Sequence, residues 1–254
     1  MSYSDLEGKT FVITGAASGQ GRATALLLAR QGAKLGLLDL RQPVDIVDEV
    51  GRLGGKALGF AVDVADSQAV EDAVKATSEA FGGIDGAVNM AGVLGTQGFT
   101  GKGYSLDVVE DKHWDWLMST NLTGTKNSLK AELRHINDGG SIVNAASIAG
   151  QRGTPWNAAY GTSKWGVISL TKCAAQEAGH RQVRVNAVAP GVIDTPMAKQ
   201  LGSAAQVNER LISRTALNRM AQPEEVSKVV LFLLSNDASG YVTSSVINVD
   251  GGYQ

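Results

Sequence analysis

Short apolar runs alternate with longer helical patterns along most of the chain. Seven runs predict buried parallel strands, because such strands need not alternate polar and apolar residues. They are residues 10–14, 34–39, 57–63, 86–89, 141–145, 183–189 and 246–249. Helical patterns cover residues 21–31, 67–81, 112–134, 158–178 and 223–234, with Ser67 as an expected N-cap and Pro223 as a first helical position. The alternation predicts an α/β fold with right-handed crossovers and a doubly wound sheet.

The length of 254 residues suits one large α/β domain spanning residues 1–254. We find no internal repeat, low-complexity segment or domain linker in the sequence. One long irregular stretch, residues 194–220, follows the sixth predicted strand. A lid over a site at the strand ends is expected there.

Composition excludes several classes of function. The net charge is −2 and basic residues do not cluster, so a nucleic-acid partner is not expected. The single cysteine, Cys173, cannot form an internal disulfide and is expected on a packed helix face. No Cys/His cluster has metal-ligand spacing, so no metal is expected. A polar N-terminus and the lack of a membrane-spanning apolar run favour a cytoplasmic protein with no membrane partner.

A glycine-rich run, TGAASGQG from Thr14 to Gly21, joins the first predicted strand to the first helix. Such runs also form plain turns, but this position favours a nucleotide, because glycines let the backbone approach a pyrophosphate at a helix N-terminus. No Gly-Lys-Ser/Thr follows, which excludes a P-loop. The predicted cofactor contacts are Gly15, Ser18, Gly19, Gln20 and Gly21.

The second predicted strand ends at Asp39, about twenty residues after the glycines, and is followed by Leu40. A carboxylate there can accept hydrogen bonds from the adenosine ribose and repels a 2′-phosphate, which favours NAD(H). Arg41 leaves NADP(H) open, since an arginine two residues on could reach a 2′-phosphate.

Two further segments are candidates for the adenosine side of the site. Asp63, followed by Val64, could bind the adenine amino group, although a helix-capping aspartate is an equal alternative. The run from Asn89 through Met90 ends the fourth strand, and it continues with Ala91 and Gly92. We expect this run to line the adenine and ribose side of the cleft.

Tyr160 and Lys164 are spaced four residues apart in a predicted helix, so their side chains lie on one face. An ammonium close to a tyrosine favours the phenolate and is expected to lower its pKa from about 10. A tyrosine of this kind can exchange a proton with an alcohol or a carbonyl near neutral pH. Two further polar residues have ordinary explanations when taken alone. Ser147, just past the fifth strand, could be a turn residue, and Asn121 could be a polar position of the preceding helix.

The ordered set of glycine loop, Asn-x-Ala-Gly, Asn, Ser and Tyr-x-x-x-Lys resembles the short-chain dehydrogenase/reductase family over essentially the whole chain. The resemblance implies that Tyr160 is the acid/base and that Lys164 is its electrostatic partner and holds the nicotinamide ribose. Ser147 would bind the substrate oxygen, and Asn121 would anchor a water that links Lys164 to solvent. Met90 departs from the family motif, which usually has a second asparagine there.

The family fold implies a seven-stranded parallel sheet in the order 3-2-1-4-5-6-7. It also implies a homotetramer, or a homodimer, formed through the helices that carry Asn121 and Tyr160. The segment after the sixth strand matches the one that contacts the nicotinamide in the family. Its implied cofactor contacts are Pro190, Gly191, Ile193 and Thr195.

The substrate pocket is expected to be apolar, which suits a secondary alcohol or ketone that is apolar or carries a ring. The expected wall comprises Ser147, Ile148, Ala149, Trp156, Tyr160, Val192, Met197 and Leu201, with Gln97 and Phe99 at the rim. An epimerase, a dehydratase, or an imine or enone reductase on the same scaffold remains an alternative. So does a nucleotide sensor without catalysis, although such a protein is expected to have lost part of the motif.

Overall fold

A computed structural model describes residues 3–95, 105–201 and 211–254. Its centre is a seven-stranded sheet in the order β3-β2-β1-β4-β5-β6-β7, in which every neighbouring pair is parallel. The strands are β1 (Thr10–Thr14), β2 (Lys34–Asp39), β3 (Lys56–Ala61), β4 (Ile84–Asn89), β5 (Ile136–Ala145), β6 (Arg184–Pro190) and β7 (Val246–Val249). The fold class and strand order expected from the sequence are confirmed.

Helices cover both faces of this sheet. They are α1 (Gly19–Arg30), α2 (Val44–Arg52), α3 (Ser67–Phe81), α4 (Asp111–Leu117), α5 (Gly124–His135), α6 (Ala158–Ala178), α7 (Pro223–Leu234) and the short α8 (Asn236–Ser239). The bounds predicted for α3, α6 and α7 are confirmed, and Pro223 is the first residue of α7. The predicted N-cap at Ser67 is wrong, because the Asp66 side chain accepts hydrogen bonds from the first backbone N–H groups of α3.

Successive β1 residues point to opposite faces of the sheet and join two separate parts of the core. Phe11 and Ile13 pack with residues of α1, α2 and α7. Val12 packs on the other face with residues of α3, α5 and α6. All three side chains are at most 2% exposed. Burial of one such side chain stabilises the fold by roughly 1.5–3 kcal/mol, so both faces contribute to holding the sheet rigid.

The helix predicted over residues 112–134 is not a continuous α-helix. A π-helical segment, Met118–Thr123, joins α4 to α5 and contains Asn121. Such segments widen one turn of a helix and are frequent at functional sites. The prediction for Cys173 is also wrong, because its side chain on α6 is exposed.

Candidate active site

A cavity of about 1280 Å³ opens at the carboxyl ends of the strands, where α/β sheets of this type bind ligands. Among the predicted site residues whose side chains the structure describes, it brings together all except Asn89 and Asn121. The predicted residues that line it are Gly15, Ser18, Gly19, Gln20, Gly21, Asp39, Leu40, Asp63, Val64, Ala91, Gly92, Ser147, Ala149, Trp156, Tyr160, Lys164, Pro190, Gly191, Val192, Ile193, Thr195 and Met197.

The glycine-rich loop is too closely packed for side chains at two positions. A Cβ atom at Gly15 would lie 2.7 Å from the Ala91 backbone nitrogen, and one at Gly21 would lie 2.2 Å from the Gly15 carbonyl oxygen. Gly15 also has a φ of +69°, in the left-handed region that favours glycine. The loop leads directly into α1, whose free N-terminal N–H groups favour an anion.

Asp39 is fixed against this loop at the end of β2. Its Oδ2 accepts a hydrogen bond of 2.9 Å from the Ala17 backbone N–H. Leu40 and Arg41 beside it are exposed. Asp63 does not cap α3, whose N-cap is Asp66, and its Oδ1 accepts from the Ala65 N–H of the intervening loop at 2.9 Å. Asp63 nevertheless lines the cavity.

These features fit a dinucleotide in the cavity. The loop presents backbone rather than side chains, and Asp39 lies where a ribose would be bound. In addition, Gln20 has a buried Oε1 atom with no hydrogen-bond partner among the described residues. A buried polar atom of this kind is costly unless a ligand or water pairs with it.

Tyr160 and Ser147 both line the cavity. Ser147 lies just past β5, and its Oγ accepts from the Ala149 N–H at 3.1 Å. Asn157 caps α6 by accepting from the Tyr160 N–H, and its amide donates to the Leu94 carbonyl oxygen at 2.9 Å. The Ser147 hydroxyl lies near enough to that of Tyr160 to influence its pKa, and each side chain is 8% exposed. Both hydroxyl groups can therefore contact one substrate oxygen.

The expected lowering of the Tyr160 pKa is wrong for this structure. Burial raises the pKa of Tyr160, and the hydrogen bond from Ser147 opposes that rise. Burial also lowers the pKa of Lys164 to about 8, because the ammonium loses solvation. The Lys164 Nζ atom lies 5.8 Å from the Tyr160 ring centroid and donates to the Ala145 carbonyl oxygen at 2.8 Å. The effect of burial on the Tyr160 pKa is thus larger than the effect of the Lys164 ammonium, on which the sequence argument depended.

Asn121 lies behind the cavity wall, fully buried, and holds the segment after β4. Its amide accepts from the Val93 N–H at 2.8 Å and donates to the Val93 carbonyl oxygen at 2.9 Å. A Cβ atom at Gly92 would lie 3.3 Å from the Asn121 Oδ1 and 3.5 Å from the Lys164 Nζ. The Asn121 amide and the Lys164 ammonium therefore both lie next to Gly92, where there is no side chain. The water expected at Asn121 stays a prediction.

Asn89 does not reach the cavity, and its side chain belongs to a buried polar network. Its Nδ2 donates to Glu132 Oε2 at 3.0 Å and to Asn144 Oδ1 at 2.9 Å. Asn144 in turn donates to Thr171 Oγ1 on α6 at 3.0 Å. The network joins β4, β5, α5 and α6 behind the site, so Asn89 positions the wall that Met90, Ala91 and Gly92 line.

The substrate side of the cavity is mainly apolar, as expected. Tyr160, Ala149, Val192 and Met197 pack with Leu94, Leu117, Ala159 and Ala198. Trp156 is 47% exposed and has a φ of +68°, a costly conformation for an aromatic residue. Gln97, Phe99 and the Leu201 side chain lie outside the described residues.

Sequence reasoning missed several residues of the wall, including Arg152, Arg214, Tyr253, Asp115 and Trp116. The arginines and Tyr253 come from three segments far apart in the chain. Asp115 and Trp116 are on α4, only a few residues from Asn121. The helical pattern around Asn121 could have indicated this pair, whereas the other three carry no local signal.

Comparison with known proteins identifies the family of the chain. Residues 15–254 match the family model described as enoyl-(acyl carrier protein) reductase. The chain is 40% identical to 3-oxoacyl-[acyl-carrier-protein] reductase FabG of Thermotoga maritima, over 97% of this chain and 98% of that protein. It is 39% identical to cyclohexanol dehydrogenase of an Acinetobacter species, over 96% and 94% of the two chains.

A solved structure has the same fold. The short-chain dehydrogenase of Burkholderia cenocepacia, in complex with NADP, superposes with a TM-score of 0.87 at 30% identity, covering 98% of each chain. The chain therefore belongs to the short-chain dehydrogenase/reductase family, whose members bind a nicotinamide cofactor. None of the described helices is both long and apolar enough to cross a membrane. Within residues 3–95, 105–201 and 211–254, no group of three or more acidic, His or Cys side chains could hold a metal ion.

Proposed function

We propose that this protein interconverts a secondary alcohol and a ketone on a small molecule with an apolar or ring-bearing body, using NAD(H). The observation that carries the proposal is that Tyr160, Ser147 and Lys164 line one large cavity, with the Lys164 Nζ atom 5.8 Å from the Tyr160 ring centroid. The names of two relatives, a cyclohexanol dehydrogenase and a 3-oxoacyl reductase, support alcohol and ketone chemistry.

In this proposal the Ser147 hydroxyl donates to the substrate oxygen and orients it towards Tyr160. Tyr160 takes the hydroxyl proton during oxidation and returns it to the carbonyl oxygen during reduction. The glycine loop, Asp39 and Lys164 would hold a nicotinamide dinucleotide, which would accept the hydride in oxidation and supply it in reduction. The ammonium of Lys164 favours the phenolate of Tyr160, and Asn121 keeps the neighbouring segment in place. Apolar side chains such as Leu117 and Val192 exclude water from the reacting end.

NAD(H) is proposed as the cofactor because of the carboxylate at Asp39. It accepts from the Ala17 N–H and therefore stays at the loop, where its charge would repel a 2′-phosphate. NADP(H) is the alternative: Arg41 is exposed next to the site, and the Burkholderia relative was solved with NADP.

The test begins with the titration of NADH and NADPH by nicotinamide fluorescence, followed by turnover of cyclohexanol and cyclohexanone with wild type and Tyr160→Phe. We expect tighter binding of NADH and a loss of turnover of at least about a thousandfold in the variant, with NADH binding within about twofold. Wild-type rates in Tyr160→Phe would exclude Tyr160 as the acid/base. Failure to bind either nucleotide would exclude both the proposed enzyme and the nucleotide sensor, whereas nucleotide binding without any turnover would favour the sensor.

A second reaction class is enone reduction, because the matching family model is described as an enoyl reductase. Assays with cyclohexanone and cyclohexenone distinguish the classes. A ketone reductase would convert cyclohexanone to cyclohexanol and cyclohexenone to cyclohexenol. An enone reductase would convert cyclohexenone to cyclohexanone. Epimerisation or dehydration would leave the nicotinamide absorbance unchanged.

Assembly as a homotetramer through the helices carrying Asn121 and Tyr160 is also proposed. Trp116 on α4 is 41% exposed and Trp165 on α6 is 51% exposed, which leaves large aromatic surfaces for a second copy. Light scattering of the intact chain tests this. The cytoplasmic location and the lid over residues 194–220 stay predictions, and residues 202–210 of that lid lie outside the described residues.

A further inference from the structure

Three side chains in the cavity wall have no part in the proposed proton transfer. Arg152 follows the segment that carries Ser147, Arg214 ends a short 3₁₀ turn, and Tyr253 follows β7. All three line the same cavity as Tyr160. They come from the β5, β6 and β7 side of the sheet, whereas the residues expected at the adenosine, Asp39 and Asp63, follow β2 and β3. The group therefore lies on the substrate side.

Both guanidinium groups are held by one aromatic ring. The Cζ atom of Arg152 lies 4.6 Å from the centroid of the Tyr253 ring, and that of Arg214 lies 5.2 Å from it. Arg152 also donates from Nη2 to the Tyr253 carbonyl oxygen at 3.2 Å. The Arg214 carbonyl oxygen accepts from the Gln254 N–H at 3.0 Å. Stacking on a ring restricts a guanidinium group but leaves most of its N–H donors free for another acceptor.

Neither arginine forms a salt bridge with any carboxylate in the described part of the chain. Two positive charges thus lie within 5.2 Å of the centre of one ring, and the ammonium of Lys164 is a third cation in the same cavity. Asp115 is the one acidic residue among the described residues of the wall outside the adenosine side. An anion between the arginines would relieve this repulsion, and a planar fork of donors matches carboxylate and phosphate oxygens.

We propose that Arg152 and Arg214, held by Tyr253, bind an anionic group of the substrate, a carboxylate or a phosphate, remote from the carbon that reacts at Tyr160. The inference rests on the proposed alcohol and ketone chemistry and adds to it a charged substituent. The substrate then has an apolar or ring-bearing body that lies against Val192 and Ala149. Its charged end lies at the arginine pair.

Two matched pairs of ketones test this. The first is 4-oxocyclohexanecarboxylate and its methyl ester, and the second is 4-oxopentyl phosphate and 4-oxopentanol. In wild type we expect kcat/KM to be at least about tenfold higher for the charged member of one pair, mainly through a lower KM. The pair with the larger ratio identifies the anion as carboxylate or phosphate.

The variants Arg152→Ala and Arg214→Ala should each reduce that ratio, and the double variant should bring it close to one. The kcat/KM of the neutral ketones should change less than about twofold. Tyr253→Leu should also weaken the preference, because both guanidinium groups lose their ring. Arg30→Ala removes an exposed arginine of α1 outside the cavity and serves as the charge-matched control, with the ratio unchanged.

Equal kcat/KM values for the charged and neutral ketones in wild type, or a preference that survives in the double variant, would overturn the proposal. If no ketone is turned over, calorimetric titration of the NADH-loaded protein with 4-oxocyclohexanecarboxylate and 4-oxopentyl phosphate decides the question. At least about tenfold weaker binding of either anion to the double variant supports the anion site, and unchanged affinities exclude it. Turnover of the neutral ketones with no charge preference would leave the proposed function intact, so the two failures are distinguishable.

Discussion

The ammonium group of Lys164 lies 5.8 Å from the centroid of the Tyr160 ring and donates to the carbonyl oxygen of Ala145. Lys164 is only 5% exposed, and burial lowers its pKa to about 8. The folded chain therefore holds a cation where solvation is poor. The burial of Lys164 that its proposed role requires therefore lowers the stability of the fold, as is common at active sites.

Replacing Lys164 by Met should abolish turnover and increase the free energy of unfolding at pH 7 by about 1–2 kcal/mol. Because the folded-state pKa of about 8 lies below the usual 10.5, the unfolded chain binds more protons between these values. Wild type should therefore gain stability relative to Lys164→Met as the pH rises from 8 to 10.5. Urea unfolding of both proteins across this range measures the gain. If the free energies of unfolding of the two proteins change with pH in parallel, burial does not lower the pKa of Lys164.

Glu132 should make stability fall as the pH rises. Its side chain is fully buried, and burial raises its pKa from 4.5 to about 8. The folded state then keeps a proton that the unfolded state releases, so stability decreases by up to about 1.4 kcal/mol per pH unit between these values. Glu132→Gln can still accept from Asn89 but does not titrate. In urea unfolding, the stability of Glu132→Gln relative to wild type should increase steadily from pH 5 to pH 8, and a constant difference would show that Glu132 is ionised in the folded state.

Two substitutions of Asp39 separate its charge from its hydrogen bond. Asp39→Asn can still accept from the Ala17 N–H but no longer repels a 2′-phosphate. We expect it to bind NADPH at least about tenfold more tightly than wild type does. Asp39→Ala loses the contact with the loop as well, so it should weaken binding of NADH. Nicotinamide fluorescence titration measures the dissociation constants of NADPH for wild type and Asp39→Asn, and of NADH for wild type and Asp39→Ala. An unchanged NADPH affinity in Asp39→Asn would assign the cofactor selectivity to another residue.

A methyl group at Gly21 should disrupt the loop that we assign to the pyrophosphate. Its Cβ would lie 2.2 Å from the Gly15 carbonyl oxygen, so the backbone must shift at a cost of about 1–3 kcal/mol. We expect Gly21→Ala to lower the unfolding midpoint and to weaken NADH binding at least about tenfold. Gly51→Ala is the matched control, because Gly51 is exposed on α2 and a Cβ there meets nothing within 4 Å. That variant should be up to about 1 kcal/mol more stable, with NADH affinity unchanged.

The strands at the centre of the sheet and the long helices could be predicted because their patterns are local. β1 and β2 are continuous apolar runs, and α6 and α7 have regular helical faces, so their positions follow directly. The helix Val44–Arg52 was missed, although its apolar residues Ile46 and Val50 are spaced four apart. β5 begins at Ile136 instead of 141, because Ile136 pairs with Ile84 of β4 ahead of a register shift that residues 137–140 occupy.

The site was predictable to the extent that its residues follow strand ends. Ser147 and Asp39 could be located in this way, since the carboxyl ends of parallel strands share one edge of the sheet. The direction of the Tyr160 pKa shift depends on how deeply the side chain is buried. That burial could not be predicted from the spacing of Tyr160 and Lys164. Arg152 and Arg214 come to one ring only because Tyr253 follows β7, which lies next to their segments in the sheet but far from Arg152 in the sequence. Contacts of that kind need the tertiary structure.

The π-helical segment Met118–Thr123 has a consequence for insertions and deletions. A π turn contains one more residue than the α-helical turn it replaces, so the helix behaves as an α-helix with a single inserted residue. Deleting one residue of this segment would therefore restore a regular α-helical turn and leave α4 and α5 in nearly the same rotational register. The widened turn that places the buried Asn121 side chain against Val93 would be lost. A one-residue deletion here should thus spare the core but release the segment after β4, whereas the same deletion within α5 would rotate its buried face by about 100°.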